Sequence, residues 1–131
     1  KVLISLIFSF YLNHIGFEGN VFGLTFEEKE LITSWFIDIL NLKNKVNYCI
    51  SSTLLYDHSK DGKTGTLFHQ KCDKASNTFT IIESEFDGHL FGGFYSKRLC
   101  DKYGVCQDDK IFLCIIRSSF KEIEAGIFRP K

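Results

Sequence analysis

Residues 78 to 95 read TFTIIESEFDGHLFGGFY, two β-prone runs with a turn signal between them. The runs are Thr78 to Ser84 and His89 to Tyr95, and they flank Glu85-Phe86-Asp87-Gly88. Asp-Gly tolerates the positive φ angles of a tight turn, so the stretch predicts a β-hairpin. Downstream, Ile111 to Arg117 (IFLCIIR) is nearly all apolar. That pattern predicts a central strand covered on both faces. Cys49 to Tyr56 is a further candidate strand. Most of the chain therefore reads as β structure.

One segment reads differently. In LTFEEKELITSWFIDILNL, Thr25 and Glu28 fit the T-x-x-E capping box, in which each side chain satisfies an orphan backbone N–H. Leu31, Ile32, Trp35, Phe36, Ile39 and Leu40 recur at helical period and form one apolar face. A loop from Gly16 to Gly23 precedes this helix, and an Asn/Lys stretch from Asn41 to Asn47 ends it. A second, short amphipathic helix is expected between Thr64 and Cys72, with Leu67 and Phe68 toward the core.

The chain has 131 residues, one domain's worth, and 44% of them are hydrophobic, which argues against disorder. Sixteen basic and sixteen acidic residues cancel, so no field draws the chain to nucleic acid or an anionic membrane. Nucleic acid is accordingly no expected partner. Cys49, Cys72, Cys100, Cys106 and Cys114 are odd in number and irregular in spacing. Reduced thiols in the cytoplasm fit that pattern better than a disulfide framework. The opening KVLISLIFSFYL is apolar after its first residue, long enough for a signal-peptide core and too short to span a bilayer as a helix. No small-residue cleavage pattern follows it. A buried strand or helix of a longer parent protein is the favoured reading, with a membrane anchor over residues 1–12 as the competitor. The absence of Met likewise suggests a fragment or a processed product.

The run DGKTGT, Asp61 to Thr66, raises the question of a phosphate-binding loop. Gly62-Lys63-Thr64 matches the end of G-x-x-x-x-G-K-[ST], but the first glycine position holds Asp57, whose carboxylate would repel phosphate. A turn at Asp61-Gly62 followed by a Thr64 or Thr66 N-cap is the simpler reading. His69-x-x-Cys72 could begin a metal or thiol site, with His58, His89 and the Cys100/Cys106 pair as further donors. No C-x-x-C occurs, however, and buried Cys commonly acts as a small hydrophobe. No nucleophile elbow is present. Gly92-Gly93 could mark a backbone approach to a ligand, against the plainer reading of close strand packing.

The succession LLYDHSKDGKTGTLFHQKCD, NTFTIIES, HLFGGFYS and DDKIFLCIIR resembles the TLDc domain in order and spacing, from Leu54 to Arg117. The matching positions include Asp61, Gly62, Phe68, His69, Cys72, Asp73, Phe91, Gly92, Gly93 and Phe94. Asp57 and Lys60 depart from the arginines of the pattern, and Ala75-Ser76-Asn77 replaces its N-K-G-P turn. The tryptophan that often follows the F-G-G strand is missing near Leu99, and no second glycine-rich segment occurs before Lys131. The resemblance implies an α+β fold built on an antiparallel two-sheet β-sandwich flanked by helices, here its N-terminal part. Residues 1–24 would be an apolar leader and loop, 25–47 a leader helix and linker, and 48–131 the partial domain, with Phe120 to Lys131 opening its remaining half. It further implies a non-enzymatic, cytoplasmic protein-interaction domain without cofactor or metal. Its role would lie in the oxidative-stress response, through binding and regulating the vacuolar proton-pumping ATPase. The matched residues would then serve the fold. A metal-binding or thiol-based protein using His69 and Cys72 is the competing reading.

Overall fold

The computed structural model describes residues 2–12, 16–18, 23–41, 48–85, 87–98 and 107–130, with 2–12, 16–18 and 48–52 described as backbone. Its strands are β1 (Val2–Leu12), β2 (Gly16–Glu18), β3 (Tyr48–Asp57), β4 (Thr78–Glu83), β5 (Leu90–Tyr95), β6 (Phe112–Arg117) and β7 (Gly126–Phe128). Its helices are α1 (Phe26–Ile39), α2 (His58–Asp61) and α3 (Gly65–Cys72). The fold is mixed, with helices and an antiparallel sheet. Two compact units divide it: Lys1–Ile7 with Leu54–Lys131, and Phe8–Thr53. The expected linker over 42–47, Phe86 and the Cys100/Cys106 pair lie outside the described residues.

In the unit Phe8–Thr53, α1 starts as its sequence predicts. Thr25 Oγ1 accepts the Glu28 N–H at 3.1 Å, and Glu28 Oε1 accepts the Thr25 N–H at 3.2 Å. This reciprocal pair satisfies two donors that the first helical turn otherwise leaves bare. Ile32, Trp35, Phe36 and Ile39 are buried, while Leu31 and Leu40 at the margins are half-buried. Asn41 ends the helix with φ 56°, a left-handed value that asparagine tolerates better than most residues. Gly16–Glu18, expected to open a loop, instead forms β2 and pairs in parallel with β3 from Cys49 to Ser51. Three residues are too few to show a period, so pairing of backbone groups alone makes this strand.

In the other unit, Val2–Ile7 of β1 pairs antiparallel with β4, so this part of the apolar opening segment is a sheet strand. β4, β5, β6 and β7 follow as a meander, each antiparallel to the next. The β4–β5 hairpin is present, with strand ends one residue inside the expected limits. Its turn closes with the Ser84 N–H donating to His89 O at 3.0 Å, and Gly88 takes φ 67°. Only the glycine adopts the positive φ; Asp87 does not.

Register decides which side chains share a face. Phe79, Phe94 and Phe112 lie side by side across three strands, all buried. Their ring centroids are 5.5 Å apart for Phe94–Phe112 and 6.1 Å for Phe79–Phe112. Ile81, Leu90, Cys114 and Ile116 are buried as well. The opposite face carries Ile82, Phe91 and Ile115 in one row and Gly93, Leu113 and Phe128 in the next. That face is open: Leu113 is 63% exposed and Phe128 57%. The expectation that β6 is covered on both faces is therefore corrected. Its residues alternate, with Phe112, Cys114 and Ile116 buried and Leu113 bare. An apolar run reports that both faces avoid water, not that both have found a partner layer.

Candidate functional site

Residues 56 to 73 form a hydrogen-bonded corner between β3 and α3. The Asp57 carboxylate caps α2, accepting the Ser59 N–H at 2.9 Å and the Ser59 hydroxyl at 2.6 Å. The Ser59 hydroxyl, set against the opposing cost of burial, holds Asp57 below the usual carboxylate range. Asp61 reaches back across the same turn: one oxygen accepts the Asp57 N–H at 2.7 Å and the other accepts Lys71 Nζ at 2.7 Å. These bonds, the lysine's first, keep the Asp61 carboxyl ionised below its ordinary value.

Gly62 follows with φ 116°, a conformation costly for any residue with a Cβ. Its carbonyl accepts the Tyr56 hydroxyl, and the Tyr56 ring meets Phe68 edge-on at 5.4 Å. The next loop residues lead to Thr64, whose hydroxyl accepts the Leu67 N–H at 3.3 Å and caps α3. DGKTGT is therefore the last residue of α2, a short link at Gly62-Lys63, the Thr64 cap and the first two residues of α3. α2, a single helical turn, was not expected; the Asp57-x-Ser59 capping contact was its one local signal.

The structure does not bring His69 and Cys72 together as ligands. His69 is exposed and pairs through Nδ1 with Asp73 at 2.7 Å, one helical turn on. Cys72 is buried at 1% exposure against the core. Among the described residues no group of three His, Cys, Asp or Glu side chains could hold a metal ion. Phe68 is half-buried behind Tyr56.

The glycine pair of β5 has a steric reason. A Cβ on Gly92 would lie 1.9 Å from the Thr80 carbonyl oxygen on the neighbouring strand, which no real carbon atom approaches. A Cβ on Gly93 would meet the Leu113 side chain at 3.1 Å, a tight contact with a movable group. Phe91 and Phe94 point to opposite faces, Phe94 into the core and Phe91 into the open face.

Cys114 lies beside this pair, and burial pushes its thiol up to about 12. A thiol with that pKa carries almost no thiolate near neutrality. Native protein at pH 7.5 should therefore label with iodoacetamide at Cys114 only after denaturation, as read by peptide mass spectrometry; labelling of the native thiol at the rate of a free peptide would contradict the burial described.

Asp108, outside the expected set, and His89, expected only as a possible metal donor, carry tertiary contacts. Asp108 is buried and accepts the Ser96 N–H at 2.6 Å, the Ser96 hydroxyl at 2.6 Å and the Lys110 N–H at 2.9 Å. It fastens the end of β5 to the approach to β6. The Asp-Asp-Lys run before IFLC marked the start of a strand, but nothing local indicated Ser96 as its partner. The second is His89, at the start of β5 beside an apolar trough of about 1010 Å³. The open face forms its floor through Ile82, Phe91, Leu113 and Ile115, and Phe120 and Ile123 border it.

Among the described residues no helix is long and apolar enough to cross a membrane. No curated protein and no solved structure matches the chain. The family model of the TLDc domain matches residues 25–128, from the capping threonine of α1 to the last residue of β7. The chain therefore belongs to the TLDc family.

Proposed function

We propose that this chain is a non-enzymatic protein-interaction domain of the oxidative-stress response, acting in the cytoplasm by binding the vacuolar proton-pumping ATPase. The observation that supports this reading is the fate of the polar groups in the family motif. Asp61 is spent on the Asp57 N–H and Lys71, His69 on Asp73, and Cys72 is buried. Motif residues engaged in this way build a scaffold, and the scaffold's work is then recognition. The open face of the β4–β7 meander fits the same reading. Exposed apolar faces of this kind are rare on isolated monomers. In the two-sheet sandwich implied by the family resemblance, a second sheet closes that face.

The test is affinity capture from a lysate with the tagged chain as bait, scored by quantitative mass spectrometry against an unrelated β protein of similar size. Enrichment of vacuolar ATPase subunits is the expected result. Subunits recovered at the level of the control bait would overturn the partner assignment.

A further inference from the structure

We propose that His89 is a proton-operated latch that holds the segment 118–123 against the β4–β5 turn and lets it go on acidification. The segment joins β6 to β7, and its internal bonds are few: the Phe120 N–H donates to Ser118 Oγ at 3.1 Å, and the Ile123 N–H to Phe120 O at 3.2 Å. Among the described residues, its hydrogen bonds to the sheet run through one imidazole. The Ser119 N–H donates to His89 Nδ1 at 3.3 Å, the Ser119 hydroxyl lies 3.2 Å from Nε2, and the Phe120 ring stacks at 4.9 Å and 35°. From the turn side, Asp87 Oδ2 lies 3.1 Å from Nε2.

These contacts specify a tautomer. A backbone N–H can only donate, so Nδ1 presents its lone pair and the ring proton sits on Nε2, facing Asp87 and the serine hydroxyl. This arrangement also sets aside catalysis by Ser119, although Ser, His and Asp stand together. The nitrogen nearest the hydroxyl is the protonated one, so it has no lone pair with which to take the serine proton.

A second proton changes the two sides of the ring unequally. On Nδ1 it points at the Ser119 N–H, and two donors face each other, so the bond to the segment is lost. On the other side, the Nε2–H···Asp87 contact becomes an ion pair and strengthens. His89 thus stays with its own turn and lets go of Ser119. Asp87 is the charged group in contact with the ring; its carboxylate is held ionised chiefly by the Ser84 hydroxyl. Ser119 and Phe120 bring no charge. The next charges along the neighbouring elements are Arg117 at the end of β6, opposite Leu90, and Lys121 and Glu122 in the segment itself. His89 is 16% exposed at its side chain, so protons reach it without unfolding. Because Phe120 and Ile123 border the apolar trough, release widens it.

The test is a pH titration of the uniformly 15N-labelled full chain by NMR from pH 8 to pH 5. At pH 8 the ring nitrogen shifts should show a bare Nδ1 and a protonated Nε2. The Ser119 amide should shift with the same midpoint as the ring. Exchange of the 119–123 amides, corrected for intrinsic rates, should become about fivefold faster below that midpoint, the loss expected for one ordinary hydrogen bond. His89→Gln should abolish the transition in the segment. A proton on Nδ1 at pH 8, or a Ser119 amide indifferent to the ring titration, would overturn the proposal. The wild-type titration decides the matter even where His89→Gln does not fold.

Discussion

Gly92→Ala should destabilise the protein by about 3 kcal/mol or prevent folding outright, because its methyl group has nowhere to go. The Cβ would stand 1.9 Å from Thr80 O, and this neighbour is backbone of the adjacent strand rather than a flexible side chain. Gly92 pairs with Ile81 on one side and Cys114 on the other, so moving β5 away disturbs two ladders. Two companion variants make the test specific. Gly93→Ala meets the end of the Leu113 side chain at 3.1 Å, which has solvent on its far side and can turn. It also meets Phe112 O at 3.3 Å, which needs a shift of only a few tenths of an ångström, so a loss of about 1 kcal/mol is expected. Gly65→Ala, at the start of α3 with nothing within 4 Å, should be neutral or stabilising by up to about 1 kcal/mol, since alanine favours the helix and restricts the unfolded chain. Urea midpoints followed by far-ultraviolet circular dichroism would rank the three. Equal stability of Gly92→Ala and wild type would show that β4 and β5 do not pair in the register described.

Asp108→Ala should cost about 3 kcal/mol, by a different route. The carboxylate is buried and gathers the Ser96 N–H, the Ser96 hydroxyl and the Lys110 N–H. Removing it strands donors that water reaches poorly, which costs more than the bonds' net contribution. The charge also sets a pH signature. Burial alone would raise this carboxyl, but the donors from Ser96, Lys110 and Lys97 outweigh it and leave it below the ordinary value. A folded pKa lowered in this way adds stability that is complete above the unfolded value, near 4, and fades as pH falls through the folded one. The stability gap between wild type and Asp108→Ala should thus be constant from neutrality down to about pH 4 and shrink below it. Urea midpoints across that range would show it. A gap that grew on acidification would mean that Asp108 is not held as an anion.

The buried Cys114 thiol and the pairing of His69 with Asp73 bear on the family's link to oxidative stress. Neither Cys72 nor Cys114 has the exposed, thiolate-favouring setting that makes a cysteine a redox sensor. A role in that response is then better sought in binding than in thiol chemistry at these two positions.

Local chemistry makes several elements legible in the sequence itself. Thr25 and Glu28 cap each other within four residues of chain, the α1 face repeats at helical period, Thr64 caps α3, and Asp-Gly opens a hairpin turn. Each of these is an interaction between near neighbours, and a sequence displays near neighbours directly. The motif from Leu54 to Arg117 was legible as well, and with it the family. Tertiary structure alone decided the rest, because the deciding partners are far apart in the chain. β2 exists only because β3 lies beside it, and Asp108 matters only because Ser96 sits opposite. Gly92 is obligatory because the Thr80 carbonyl occupies the space of its side chain. His89 gains two neighbours thirty and more residues away, Ser119 and Phe120, that no local pattern announces. The apolar run of β6 stated that both faces avoid water. Which face meets the core and which lies open follows from register and layer packing, and these are properties of the assembled sheet.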